Sequence, residues 1–163
     1  MPLLTMTART KLIACVGALS LLAFTGAAQA DATLKSPKKV QKALTTLNRV
    51  VDHTERLIVA KNYPHLLHEN DEFKEGSEAL EKAIVKEPAD FKSQVEPLLQ
   101  QAETASQSVA DAATAKDDAK LATTHDTLAS SVKTLLAAFP GNVQPPAASA
   151  SKEMKEDQDE DKK

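Results

Sequence analysis

The feature that most constrains the fold is a regular apolar pattern between residues 121 and 139. Six positions follow one another at spacings of four, three, four, three and four residues, and five of them are apolar. This spacing places all six on one face of an α-helix, which must be buried against other elements. The six positions are Leu121, His125, Leu128, Val132, Leu135 and Phe139.

A first helix is predicted from Pro37 to about Lys61. Ser36 before Pro37 is typical of a helix start, because serine caps free N–H groups and proline tolerates the first helical position. Asn62-Tyr63-Pro64 is predicted to end the helix, since a residue before proline avoids helical geometry. We interpret residues 65–71 as a connection with at most one helical turn. The apolar face consists of Val40, Leu44, Leu47, Val51 and Ile58, with Val50 and Leu57 beside it.

Two more helices are predicted before the fourth. The second runs from about Glu69 to Lys86 and carries Gly76 on its apolar face, where a missing side chain allows a neighbouring helix to approach. The third has the cleanest heptad, and Pro97 inside it predicts a kink or a late start. The apolar positions of the third helix are Phe91, Val95, Leu98, Ala102, Ala105, Val109 and Ala112.

Four amphipathic helices with short connections predict an all-α fold, an antiparallel up-down-up-down four-helix bundle. Asp117 or Asp118 is predicted to cap the fourth helix, and Pro140-Gly141 to end it. The bundle domain then covers residues 31–140. Residues 141–163 are rich in proline, alanine, serine and charged residues, and we expect them to form a disordered tail.

Residues 1–30 have the three parts of a cleavable signal peptide. Arg9 and Lys11 supply positive charge, residues 12–24 are an apolar run, and Ala28-Gln29-Ala30 is an A-x-A cleavage signal. The run is shorter than the roughly 20 residues that a membrane span needs. We therefore predict export to the periplasm, cleavage after Ala30 and no membrane span.

The only cysteine, Cys15, lies inside this signal peptide. The segment from Leu12 to Cys15 is similar to a lipoprotein cleavage box, but most of the apolar run follows the cysteine instead of preceding it. Cleavage after Ala30 is therefore favoured, and the mature chain has no cysteine. Disulfides, thiolate catalysis, cysteine-ligated zinc and covalent haem attachment are then excluded.

Charge argues against nucleic-acid binding. Removal of Arg9 and Lys11 changes the formal net charge from −3 to −5, and Tyr63 and four phenylalanines are the only aromatic residues. Nucleic-acid binding requires clustered basic residues, usually with stacking rings. No catalytic motif occurs either, so we do not expect an enzyme.

Four residues near the end of the predicted fourth helix have the spacing of a haem-attachment motif. Val132 and Leu135 lie three residues apart, Leu136 follows, and Phe139 lies three residues further on. In this spacing the chain resembles cytochromes c′, periplasmic four-helix bundles whose last helix reads C-x-x-C-H followed by an aromatic residue. Asp118 matches an aspartate that often opens this helix in the family. The resemblance implies a bundle of that shape, and the apolar residues at all three haem-attaching positions imply that covalent haem is absent.

Cytochrome b562 is similar in shape and holds haem non-covalently, between a methionine of its first helix and a histidine of its last. The first helix here has no methionine, but His53 lies on it and His125 lies on the fourth. Both are about 12 Å from the same end of the predicted bundle. These two histidines are candidate axial ligands of a non-covalent haem. Alternatively, they could supply half of the ligands of a metal site. The alternatives are that His53 faces water and that His125 is a core residue bonded to a threonine or a backbone group.

A second candidate site contains His65, His68, Glu69 and Asp71. On one helical turn these side chains could bind zinc or copper, or they are simply a polar connection. The predicted function is that of an exported binding or stress-related bundle without cofactor. The alternative is a haem-binding electron-transfer protein or a metal-handling protein that uses His125 and His53. The partner is an unknown periplasmic protein or a small apolar ligand, and a homodimer remains open.

Overall fold

A computed structural model describes residues 34–145, whereas residues 1–33 and 146–163 lie outside the described part. The described residues form four α-helices and one short 3₁₀ helix, with no strand, which confirms the predicted all-α, four-helix fold. The signal peptide, its cleavage site and most of the predicted tail lie outside these residues. The helices are α1 (Pro37–Val59), α2 (Tyr63–Ile84), α3 (Ala89–Ala115) and α4 (Asp118–Ala137).

The helices pack in a ring. Each contacts the next one along the chain, and α1 also contacts α4. As the residue number rises along α1 and its flanking residues, the number of the contacted residue falls on both neighbouring helices. The helix α1 therefore runs antiparallel to both. The contacting pairs are Lys35–Glu87, Arg49–Glu72 and His53–Glu69 on the α2 side, and Val51–His125 and Lys61–Asp118 on the α4 side.

The core contains the predicted apolar face of α4. All five apolar members of that face are at most 2% exposed. The ring of Phe139 packs edge-on against Phe91 of α3, with 5.5 Å between the ring centroids. The buried members are Leu121, Leu128, Val132, Leu135 and Phe139.

The second helix begins earlier than predicted. Its first residue is Tyr63, so the predicted connection at residues 65–71 is helical and that prediction is wrong. The side chain of Asn62 accepts a hydrogen bond from the backbone N–H of His65, and Pro64 lies in the first turn, where its missing N–H is not needed. The residues that end α1 therefore also start α2.

Of the two effects predicted for Pro97, a kink or a late start, the late start does not occur, because α3 begins at Ala89 and continues through Pro97. The buried face changes slightly there. Leu99 is buried, whereas the predicted Leu98 is only partly buried. The three alanines predicted on the apolar face of α3 are buried, namely Ala102, Ala105 and Ala112.

The folded part extends past Pro140, where the tail was predicted to begin. Residues Gly141–Val143 form the 3₁₀ helix, which contacts α1. Val143 is buried in the core, and so is Leu34 at the other end of the described chain. Both are apolar side chains that cover the end of the bundle. No helix within residues 34–145 is both long enough and apolar enough to cross a membrane.

Candidate functional site

His125, the first candidate haem ligand, is bonded to the backbone of α1. Its ring is partly buried, and its Nε2–H donates to the carbonyl oxygen of Val51 at 3.2 Å. This bond matches the alternative of a histidine bonded to a backbone group, but the residue is only partly buried and not in the core. Val51 lies two residues from His53, so the two histidines are within about 3 Å of the same level, as predicted.

His53, the second candidate ligand, points to a different neighbour. Its Nδ1 lies 2.7 Å from Oε1 of Glu69 on α2, and the two side chains are 34% and 4% exposed. The alternative of a histidine that simply faces water is therefore wrong. Among residues 34–145, no contact joins the rings of His53 and His125, and each ring uses a nitrogen for another partner. This arrangement gives no support to a haem held between them.

The four residues of the predicted metal site are divided between different partners. His65 Nδ1 contacts Asn62, and Glu69 pairs with His53. His68 pairs with Glu72 at 3.4 Å, and Asp71 lies 3.8 Å from Lys74. Within the described part of the chain, no group of three His, Cys, Asp or Glu side chains could hold a metal ion. The geometry therefore does not support the predicted site at His65, His68, Glu69 and Asp71.

The Glu69 carboxyl group is a titratable group that is buried between α1 and α2. Burial raises its pKa above the ordinary value, and the nearby Glu72 carboxylate acts in the same direction. The His53 ring and the Arg49 guanidinium oppose this shift, because both stabilise a negative charge at Glu69. A carboxylate in this position costs free energy unless His53 is close.

This shift predicts a pH dependence of stability with a definite sign. A carboxyl group with a raised folded-state pKa binds its proton more tightly when the protein is folded. Its contribution is fully present below the unfolded value of about 4.3 and is lost as pH rises through the folded-state pKa. We therefore expect the stability of the parent protein, relative to Glu69→Gln, to fall as pH rises above about 4. The slope for one proton is at most about 1.4 kcal/mol per pH unit.

Urea unfolding of both proteins at intervals from pH 4 to 8 measures this difference. Glu81→Gln is the matched control, because Glu81 is exposed on the same helix and makes no ion pair in the described residues. Its difference from the parent should not change with pH. A flat difference for Glu69→Gln as well would show that the buried carboxyl group does not have a raised pKa.

An open groove runs along the outer side of the α1–α2 pair, with a volume of about 640 Å³. Arg49 of α1 bridges it by donating to Glu72 of α2 at 2.8 Å. Three lysines and Glu75 lie on one side of this bridge, and His68 and Asp71 lie on the other. The lining residues are Lys39, Lys42, Ala43, Thr46, Arg49, His68, Asp71, Glu72, Glu75, Gly76, Ala79 and Lys82.

Gly76 brings the two helices close together at the floor of this groove. A Cβ atom at this position would lie 3.0 Å from Cδ2 of Leu47 and 3.2 Å from Cγ2 of Thr46. The prediction that Gly76 permits a close approach by a neighbour is confirmed. Ala43 and Ala79 are the other small residues in the lining, so short side chains leave a depression between longer charged ones.

This groove was not predicted from the sequence. None of the three lysines was singled out as a candidate site residue. The Tyr63 start and the antiparallel contacts set the register of α1 against α2, and this register brings the three lysines together. The available signal was the Asn-Tyr-Pro segment, which allows a turn of only three residues between the helices.

No known protein family, curated protein or solved structure matches the chain. The resemblance to cytochromes c′ and cytochrome b562 stays a prediction that rests on the residues of the fourth helix.

Proposed function

We propose that the protein is an exported binding protein that works without covalent haem, with its ligand site in the α1–α2 groove. The observation that carries this proposal is the groove itself, which places seven charged side chains and His68 around a floor of small residues. Its volume of about 640 Å³ lies in the range of small-molecule sites, about 300–1,000 Å³.

The charged side chains around the groove favour a charged ligand over the apolar ligand expected from the sequence. Val132 and Leu135, which would border an apolar cleft in α4, are buried in the core. Apolar surface is therefore occupied inside the bundle, and charged groups are exposed in the groove. A charged or strongly polar ligand gains hydrogen bonds there that an apolar ligand cannot make.

The test uses protein purified from the periplasmic fraction, whose N-terminal residue we expect to be Asp31. Amide spectra by nuclear magnetic resonance are recorded with separate probes for anions, amines, neutral sugars, fatty acids and haem. We expect at least one class of probe to shift the signals of groove residues such as Thr46, Gly76 and Ala79. The smaller α3–α4 groove, which includes Gln100 and Thr127, is the internal control and should not respond.

Three results would contradict the proposal. Retention of the protein in the cytoplasm with an intact N-terminus would exclude export. Shifts confined to residues around His125, or no shift with any probe, would exclude the groove as the ligand site. A Soret band that disappears in His125→Ala would instead favour the haem-binding alternative.

A further inference from the structure

Three lysines from two helices line one end of the α1–α2 groove. Lys39 and Lys42 lie one turn apart on α1, and Lys82 lies on α2. In the described part of the chain, neither Lys39 nor Lys42 has an acidic partner. Lys82 pairs with Glu78 of its own helix, and their side chains are 75% and 66% exposed. Such an exposed pair is weak and exchanges readily for a stronger partner.

Carboxylates lie along the rest of the groove. Glu75 is exposed between the lysines and the Arg49–Glu72 ion pair, whereas Asp71 lies beyond that pair, 3.8 Å from Lys74. Carboxylates repel an anion but accept hydrogen bonds from hydroxyl groups. A ligand that lies between the lysines and Glu75 is therefore anionic at one end and carries hydroxyl groups at the other.

From this arrangement we infer that the groove binds a small sugar phosphate. The phosphate lies among Lys39, Lys42 and Lys82, where ammonium groups donate charge-assisted hydrogen bonds to its oxygens. The sugar hydroxyls lie over the small floor residues and donate to Glu75. This inference rests on the proposed function, since it names the ligand class of the same groove.

Glucose 6-phosphate, inorganic phosphate and glucose are the probes, each titrated into the purified protein at low salt and followed by the same amide signals. We expect glucose 6-phosphate to bind more tightly than inorganic phosphate, and glucose to bind more weakly than either. Because the phosphate contacts are ionic, affinity should fall as salt is added.

Substitution tests the lysines and Glu75 separately. Lys39→Gln/Lys42→Gln should weaken glucose 6-phosphate binding by about tenfold or more, because two of the three ammonium groups are lost. Lys120→Gln/Lys133→Gln is the control: it makes the same charge change at exposed positions of α4 and should leave the affinity unchanged. Glu75→Gln should reduce the preference for glucose 6-phosphate over inorganic phosphate. Circular dichroism verifies that every variant is folded.

The outcomes distinguish this inference from the function on which it rests. Equal affinity for glucose 6-phosphate and inorganic phosphate would exclude the sugar part of the ligand. Equal loss in the α1 and α4 lysine variants would show attraction by net charge alone and would overturn the site. If another probe class shifts the groove signals and these three do not, only the sugar phosphate inference fails. If no probe shifts them, the proposed function fails as well.

Discussion

Leu135→Ala should lower the free energy of unfolding by about 2–5 kcal/mol. Leu135 is fully buried on the core face of α4, so truncation removes buried apolar surface and leaves a cavity that its neighbours fill only in part. A protein of this size has a total stability of about 5–15 kcal/mol, so the effect is a large share of it. The denaturant midpoint should decrease with little change in the slope of the transition.

The next residue provides the control. Leu136 is only partly buried, so Leu136→Ala should cost clearly less than Leu135→Ala. If Leu135→Ala unfolds at nearly the same denaturant concentration as the parent, the core around the end of α4 is not filled. The apolar residues would then line an open cleft between α1 and α4, and a hydrophobic ligand would become the better proposal.

Gly76→Leu should destabilise the protein by about 1–3 kcal/mol, because a large side chain is forced between α1 and α2. Even its first atom would lie 3.0 Å from Leu47, which is buried and has little room to move. Gly76→Ala adds only that atom, and it also gains up to about 1 kcal/mol of helix propensity. We therefore expect a much smaller effect for alanine, measured by the same unfolding experiment.

Gly141→Ala is a control at a glycine with no such neighbour. A Cβ atom there would meet nothing within 4 Å, so the change should stay within about 0.5 kcal/mol. If Gly76→Leu is as stable as the parent, α1 and α2 are not held close together at this level. The close helix contact that forms the floor of the proposed groove would then be contradicted, whatever the outcome for Leu135.

The pattern of apolar residues was enough to predict the four helices and most of their buried faces. Helix formation and amphipathicity depend on residues three and four positions apart, so this information is local in the sequence. The face of α4 is the clearest example, since each apolar member is buried. The errors lie at the helix starts, where Asn62 and Pro64 are compatible with both the end of one helix and the start of the next.

The candidate sites could be predicted less well because they depend on contacts between helices. The sequence placed His53 and His125 at one level of the bundle, and the structure agrees. It could not tell which neighbour each ring contacts, because a small rotation of a helix about its axis changes that neighbour. His53 therefore faces Glu69 of α2, whereas His125 reaches the backbone of α1.

The sequence by itself determined a chain of four amphipathic helices, with Gly76 where a neighbouring helix can approach closely. It also showed that no cysteine lies outside the segment predicted to be a signal peptide. Only the tertiary structure decided that Glu69 is buried beside His53 and that Lys82 joins Lys39 and Lys42 in one groove. These partners lie on different helices, and Lys82 is about forty residues from the two lysines of α1. Their meeting depends on the register between α1 and α2, which the three-residue turn and the packing at Gly76 establish together.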